Sequence, residues 1–250
     1  MLVKREWEEN LLHIDEDLED FLQQRMILGQ MFPMDPTLFR KEFEYLHTNN
    51  RDYLELFESP TEYGSPTLFT LDGGKKYNPN DIHHLYHFCR YENAVGKIDT
   101  KQNILEWGGG YGNMCKVLHM VLGDLIESYT IVDLPKLTNL TKKYVKETTD
   151  LENFNQIEMD SSDSFTQLAD MSFDMFLSTW ALSESPKECA KFLDENGLLD
   201  SERLLVAIHQ CGNHIPYMDE STNLRNILKN KDTTEEDVSV IDGINYYIFK

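Results

Sequence analysis

Cysteine is scarce in this chain: there are four, Cys89, Cys115, Cys189 and Cys211, and no two are spaced as CxxC. That removes zinc-ribbon and dithiol motifs and points to a reduced, cytoplasmic setting. No apolar run approaches the roughly 20 residues that a membrane-spanning helix needs, and the start MLVKREWEEN has no apolar signal core. Basic residues are few as well, with 23 Lys and Arg against 44 Asp and Glu and a formal charge of -21. Nucleic acid and anionic membrane would be repelled unless a basic patch intervened. The lysines of LTKKYVKE do not form one, being spaced like the solvated face of a helix. Internal repeats and low-complexity stretches are also missing. What is present is an ordinary globular composition, 40% hydrophobic and 27% charged over 250 residues. That suffices for one α/β domain with an extension and is too short for two large domains.

The stretch ILEWGGGYGN, Ile104 to Asn113, organises the rest. An apolar run ends in an acid, turns through glycines and enters the helix-prone YGNMCKVLHMVL, so it reads strand, tight loop, helix. The spacing is ExGxGxG, with Glu106, Gly108, Gly110 and Gly112, and Gly109 and Tyr111 between them. Such a loop lets a ligand lie against bare backbone. It departs from the dinucleotide fingerprint GxGxxG, because Asn113 stands where the third glycine would be. One unit later YTIVDLP is a second apolar strand ending in an acid, Asp133, followed by Leu134. In a doubly wound sheet both loops open at the carboxyl edge, and Asp133 there can accept both hydroxyls of a ribose.

These two segments, with IEMDSSDSF and FDMFLSTWALSES in that order, resemble the class I S-adenosylmethionine-dependent methyltransferases. GGGYGN, DLP and WALSE are most similar to the sugar O-methyltransferases among them. The resemblance covers about residues 101–210. It implies a Rossmann-like α/β fold with a mostly parallel seven-stranded sheet, a C-terminal antiparallel hairpin and S-adenosylmethionine as cofactor. It further implies that Asp160 and Ser161 contact the adenine, although either could instead cap the helix SDSFTQLA, and that Ser178 lies at the methyl-transfer loop. Arg90 or Tyr77, just before the first strand, could reach the methionine carboxylate.

Before that region, Trp7, Leu11, Ile14, Leu18, Phe21 and Met26 recur at helical intervals from Lys4 to about Leu28. A second helical region, PTLFRKEFEYLHTNNRDYLELFES, is expected to break near Asn49 and Asn50, and residues 59–80 read as a loop. We therefore divide the chain into a helical extension, 1–80, and a methyltransferase domain, 81–250. The extension could pack on the domain, cover its mouth, or form a homodimer contact. Asp81 is the expected cap of DIHHLYHFCRYENAVGK. In that helix His83 and His87 share a face, but no HExxH glutamate and no third ligand at usual spacing accompany them. Substrate hydrogen bonding or half-burial suits them better than zinc.

The fourth strand ends in Ser178, Thr179 and Trp180, where amine and DNA enzymes of the superfamily carry Asn or Asp followed by Pro-Pro-Tyr. Trp180 offers an apolar face for a sugar ring, or is core. Glu184 could be a base, a substrate clamp or a helix-terminus charge. The fifth strand, Leu204 to Ile208, delivers His209 to the same edge, and histidine is suited to take a proton near neutral pH. VSVIDGINYYIF reads as a hairpin around Asp242 and Gly243. The reading that follows is O-methylation of a sugar or glycan hydroxyl with His209, then Glu184, as general base. The fourth-strand end lacks hard oxygen ligands, so no metal is expected. The alternatives are methylation of a non-sugar metabolite, or a catalytically silent binding module.

Overall fold

The structure, a computed structural model, describes residues 19–31, 35–71, 73–159, 162–211, 218–238, 240–241 and 244–250. Among the described residues the first α-helices are α1 (Arg25–Gln30), α2 (Pro36–Asn49) and α3 (Arg51–Glu55), followed by a small ribbon of β1 (Phe69–Thr70) and β2 (Lys76–Tyr77). Helix α4 (Pro79–Val95) leads into β3 (Gln102–Trp107), α5 (Asn113–Leu122), β4 (Ile126–Asp133), α6 (Pro135–Thr148), β5 (Phe154–Glu158) and α7 (Ser162–Ala169). The second half contains β6 (Met175–Thr179), α8 (Ala181–Glu184), α9 (Lys187–Glu195), β7 (Arg203–Cys211), α10 (Met218–Leu228), β8 (Thr234–Asp237) and β9 (Ile244–Phe249).

The large sheet has the order β5-β4-β3-β6-β7-β9-β8. Its first five strands are parallel, and β9 runs antiparallel between β7 and β8. The chain thus builds outward from β3 in one direction and then from β6 in the other. A crevice opens at the carboxyl ends where the order reverses. Both faces of the sheet are covered, which explains why its strands are nearly continuous apolar runs. Successive residues go to opposite cores: Ile104, Leu177 and Leu205 pack with α2, α4 and α5 residues such as Phe39, Leu85 and Val117. Leu105, Phe176 and Leu204 pack with Leu193 and Leu224 on the other face.

Several local expectations change. The helix read continuously to Leu28 is interrupted where it is described. Residues Phe21–Gln23 form a 3-10 turn, and Gln24 is extended at φ -64°, ψ 132°. The cause is Phe21, fully buried among Tyr63, Tyr111 and Tyr144 at ring distances of 6.3, 5.4 and 5.7 Å; residues 1–18 lie outside the described part. The break at Asn50 is present, between α2 and α3. The loop over 59–80 contains the β1–β2 ribbon and ends in the first turn of α4. That helix is capped by Asn78, whose side chain accepts from the Asn80 N–H at 2.9 Å, and Pro79 takes the first helical position. Asp81 is instead buried and ion-paired with buried Lys116 of α5 at 2.5 Å. The C-terminal hairpin pairs Thr234–Asp237 with β9, Asp237 standing opposite Tyr246, and extends to Val238, whose N–H donates to the Asn245 carbonyl at 3.0 Å; Ser239 and the expected turn residues Asp242 and Gly243 lie outside the described residues. Among the described residues no helix is long and apolar enough to cross a membrane.

Candidate active site

The glycine loop leaves β3 at the point where the sheet order reverses. Gly108 has φ +78°, and a Cβ there would overlap Ala181 at the start of α8; only glycine allows that approach. Its N–H donates to the Val132 carbonyl at 2.8 Å, tying the loop to β4. Asp133, at the end of β4, accepts from the N–H groups of Gly110 (2.6 Å) and Leu134 (2.7 Å). Burial raises the Asp133 carboxyl to about 6, and those two backbone donors pull in the opposite direction. Glu106 is 2% exposed and takes a hydrogen bond from the Tyr129 hydroxyl at 2.8 Å. Burial first, and the neighbouring Asp133 charge to a lesser degree, push it up to about 8 against that hydrogen bond. Glu106 therefore holds its proton at neutral pH, while Asp133 is mostly ionised.

Above this loop lies a cavity of about 340 Å³. Of the residues singled out from the sequence, Glu106, Gly108, Gly109, Gly110, Tyr111, Asp133, Leu134, Trp180, Glu184, His209 and His83 line it. In the same lining, the His209 ring stacks on the Trp180 indole at 4.1 Å and 17°. One indole face is thus covered by His209, and Trp180 also lines the cavity. Trp180 has φ +74°, a conformation that costs a bulky residue on the order of 1–3 kcal/mol and needs surrounding contacts to hold it. His209 lies inside β7 rather than after it, because the strand continues to Cys211 and His209 pairs with Asn245 of β9. Its Nδ1 is 2.8 Å from Asn245 Oδ1, which can only accept. The proton is therefore on Nδ1 and Nε2 carries a lone pair. Nε2 is 3.9 Å from Glu184 Oε1, too long for a direct bond and suited to a hydroxyl or water between them. Burial lowers the His209 pKa.

Other expected residues sit elsewhere. Gly112 opens α5 and faces α6, where a Cβ would come within 2.8 Å of Val145 Cγ2. Ser178 staples α8 to β3: its hydroxyl donates to the Trp107 carbonyl at 2.9 Å and accepts from the Leu182 N–H at 3.0 Å. His87 is fully buried behind the wall. His83 reaches the cavity but has both ring nitrogens engaged, Nδ1 with Glu42 at 2.6 Å and Nε2 with His87 at 3.0 Å. Arg90 is held by Glu236 and the Tyr86 hydroxyl, and Tyr77 borders a different pocket beside Phe43; neither faces this cavity. Asp160 and Ser161 lie outside the described residues, while neighbouring Met159 lines the cavity. Met31 and Leu38 of the extension, Asn80 and His84 also line it and were not singled out. For Asn80 and His84 the signal was available, since they lie four apart at the start of a helix beside the two histidines that were considered.

No protein-family model matches this chain, and no curated protein matches its sequence. Solved structures do match. An O-methyltransferase from Bacillus cereus in complex with S-adenosylhomocysteine superposes with a TM-score of 0.50 at 14% identity, over 89% of this chain and 93% of that one. The fold is the Rossmann-like methyltransferase fold. Fibrillarin from Aeropyrum pernix, crystallised with natively bound S-adenosylmethionine, aligns at TM-score 0.48 and 13% identity over 78% of this chain and 86% of its own. A methyltransferase from Aquifex aeolicus aligns at 0.46 and 14% over 87% and 98%.

Proposed function

We propose that the chain is an S-adenosylmethionine-dependent O-methyltransferase whose acceptor is a sugar hydroxyl, with His209 as general base. The observation that carries this is one cavity lined together by the glycine loop, Asp133, Glu184 and His209. The cofactor fits the residues present: Gly108, Gly109 and Gly110 line the cavity with no side chains of their own, and the Asp133 carboxylate keeps lone pairs for ribose hydroxyls after accepting its two amides. The amino-acid end is better served by α4 than by Arg90 or Tyr77. The Tyr144 hydroxyl donates to Asn113 Oδ1 (2.8 Å) and Asn113 Nδ2 to His84 Nδ1 (3.1 Å), so His84 presents Nε2–H as a donor. Asn80 Oδ1, one turn away, is a buried acceptor with no partner among the described residues. Together they suit a carboxylate and an ammonium.

When bound, the cofactor supplies a methyl group on a sulfonium leaving group, so the protein's task is alignment, exclusion of water and removal of one proton. With Nδ1 against Asn245, Nε2 is the ring nitrogen that would take the proton of an acceptor hydroxyl as the carbon–oxygen bond forms, a contribution of about 10²–10⁴. Asn245 holds the tautomer, as an orienting group does for a catalytic imidazole. A gap of 3.9 Å between His209 and Glu184 suits neighbouring hydroxyls of one ring, the first on imidazole and the second on carboxylate. That supports a sugar over an isolated alcohol. Incubation with labelled cofactor and a panel of nucleotide sugars, glycans and non-sugar alcohols tests it. The expectation is a gain of one methyl on a sugar, reduced at least about a hundredfold in His209→Ala with S-adenosylhomocysteine binding retained. Methyl transfer only to non-sugars, or none despite tight cofactor binding, would refute it.

A further inference from the structure

Behind the Trp180 wall lies a buried hydrogen-bonded series that the proposed chemistry does not use. It starts on the helical extension. Glu42 of α2 is 1% exposed, and its Oε1 is 2.6 Å from His83 Nδ1. His83 Nε2 is 3.0 Å from His87 Nε2, and His87 Nδ1 is hydrogen-bonded to the Tyr247 hydroxyl of β9. With Glu42 accepting, one arrangement of one proton per imidazole satisfies all three contacts. A carboxylate can only accept, so His83 carries its proton on Nδ1 and offers a lone pair at Nε2. His87 must then donate from Nε2, and its Nδ1 accepts from the Tyr247 O–H. Burial, with the neighbouring histidines, drives the His87 pKa well below the ordinary value, in keeping with a neutral ring. Glu42 is the one acceptor-only group in the series and sets its direction.

The series ends on the candidate base. The His87 ring packs at 5.6 Å and 71° against Trp180, and Trp180 stacks on His209. The Trp180 backbone lies in the left-handed region, so the indole depends on its neighbours for its position. We infer that Glu42 is a positioning residue, contributed by the extension, which fixes the tautomers of His83 and His87 and through Trp180 holds the His209 ring in place. This rests on His209 as base only for its consequence in turnover; the tautomers and the stack can be read without any acceptor.

The test uses the full chain labelled with ¹⁵N-histidine, with S-adenosylhomocysteine as the added probe, read by long-range ¹⁵N–¹H correlation. The wild type should show Nδ1–H at His83, Nε2–H at His87 and Nδ1–H at His209, with His209 ring protons shifted upfield by the stacked indole. In Glu42→Leu, similar in size but unable to accept, His83 should move to Nε2–H and His87 to Nδ1–H, and the upfield shift at His209 should fall by more than half. Glu42→Gln should restore the wild-type pattern in part, because its amide oxygen can still accept. Any other wild-type tautomer pair overturns the inference even if no variant folds. So does an unchanged His209 shift when the His83 and His87 tautomers have reversed. If instead His209→Ala keeps full turnover while the tautomers behave as stated, the choice of base fails and the positioning series stands.

Discussion

Asp133 gives the sharpest quantitative expectation. Its carboxyl is raised to about 6 by burial, and two lone-pair sites are already used by the Gly110 and Leu134 amides. A ribose diol donates to the ionised form, so binding competes with protonation below that value. With a pKa of about 6, roughly nine-tenths of Asp133 is ionised at pH 7 and roughly one-tenth at pH 5, which weakens the apparent affinity about tenfold, or ~1.4 kcal/mol. Glu106, raised to about 8, is largely protonated throughout that window and does not contribute a slope. The assay is calorimetric titration with S-adenosylhomocysteine at pH 7, 6 and 5, on wild type and Asp133→Asn. The variant should bind more weakly at pH 7 and lose the slope. Its amide nitrogen would also face a backbone donor, so part of the loss comes from the loop. A flat wild-type profile, or the same slope in Asp133→Asn, would remove Asp133 as the ribose acceptor and assign the titration elsewhere in the cavity.

Three further expectations concern other parts of the structure. Glu106 has a folded pKa above its unfolded value, so its contribution to stability is full below about 4.5 and is lost as pH rises toward about 8. Glu106→Gln should therefore gain in melting temperature over wild type from pH 5 to pH 8, and a constant difference would contradict the burial argument. Asp81→Ala leaves Lys116 buried and unpaired, and should cost about 3–5 kcal/mol in urea unfolding, whereas Asp81→Leu with Lys116→Met should recover most of it; equal losses in the single and double variants would count against the pair. Among the described residues no group of three or more acidic, histidine or cysteine ligands is placed to hold a metal. Turnover should survive EDTA, and loss reversed by magnesium would refute that.

What the sequence makes legible follows from periodicity and from backbone demands. Runs such as YTIVD and FDMFLST can only be strands buried on both faces, and their acidic or polar ends fall at one sheet edge because parallel strands all end there. The ExGxGxG loop is readable because glycine at φ +78° beside Ala181 leaves no substitute. Side-chain partners chosen by tertiary packing are less legible. Ser178 stands in the right place along the chain yet points into a staple between two backbones. Asp81 has the right chemistry for a cap, but Lys116 on the next helix claims it and Asn78 does the capping. Arg90 is near enough in sequence to reach a ligand, but an acid on β8, Glu236, takes it to the far side.

The extension shows where a finer reading of the sequence could have gone further. The spacing of Phe39, Glu42 and Leu46 puts an acid inside the apolar stripe of α2, and all three are buried. A helix packed only for stability would place leucine or alanine at such a position, because an ionisable side chain there must find a partner or lose its charge. An acid in the stripe therefore predicts a specific recipient on the surface that the helix covers. The candidates in this chain were His83 and His87, the paired histidines of α4. Glu42 meets His83, while Met31 and Leu38 reach the cavity wall. On that geometry the helices preceding the sheet line the same cavity as the glycine loop. A chain shortened to the strand–helix repeat would uncover Tyr86, whose ring meets Tyr45 at 5.1 Å, and would leave His83 without the group that orients it.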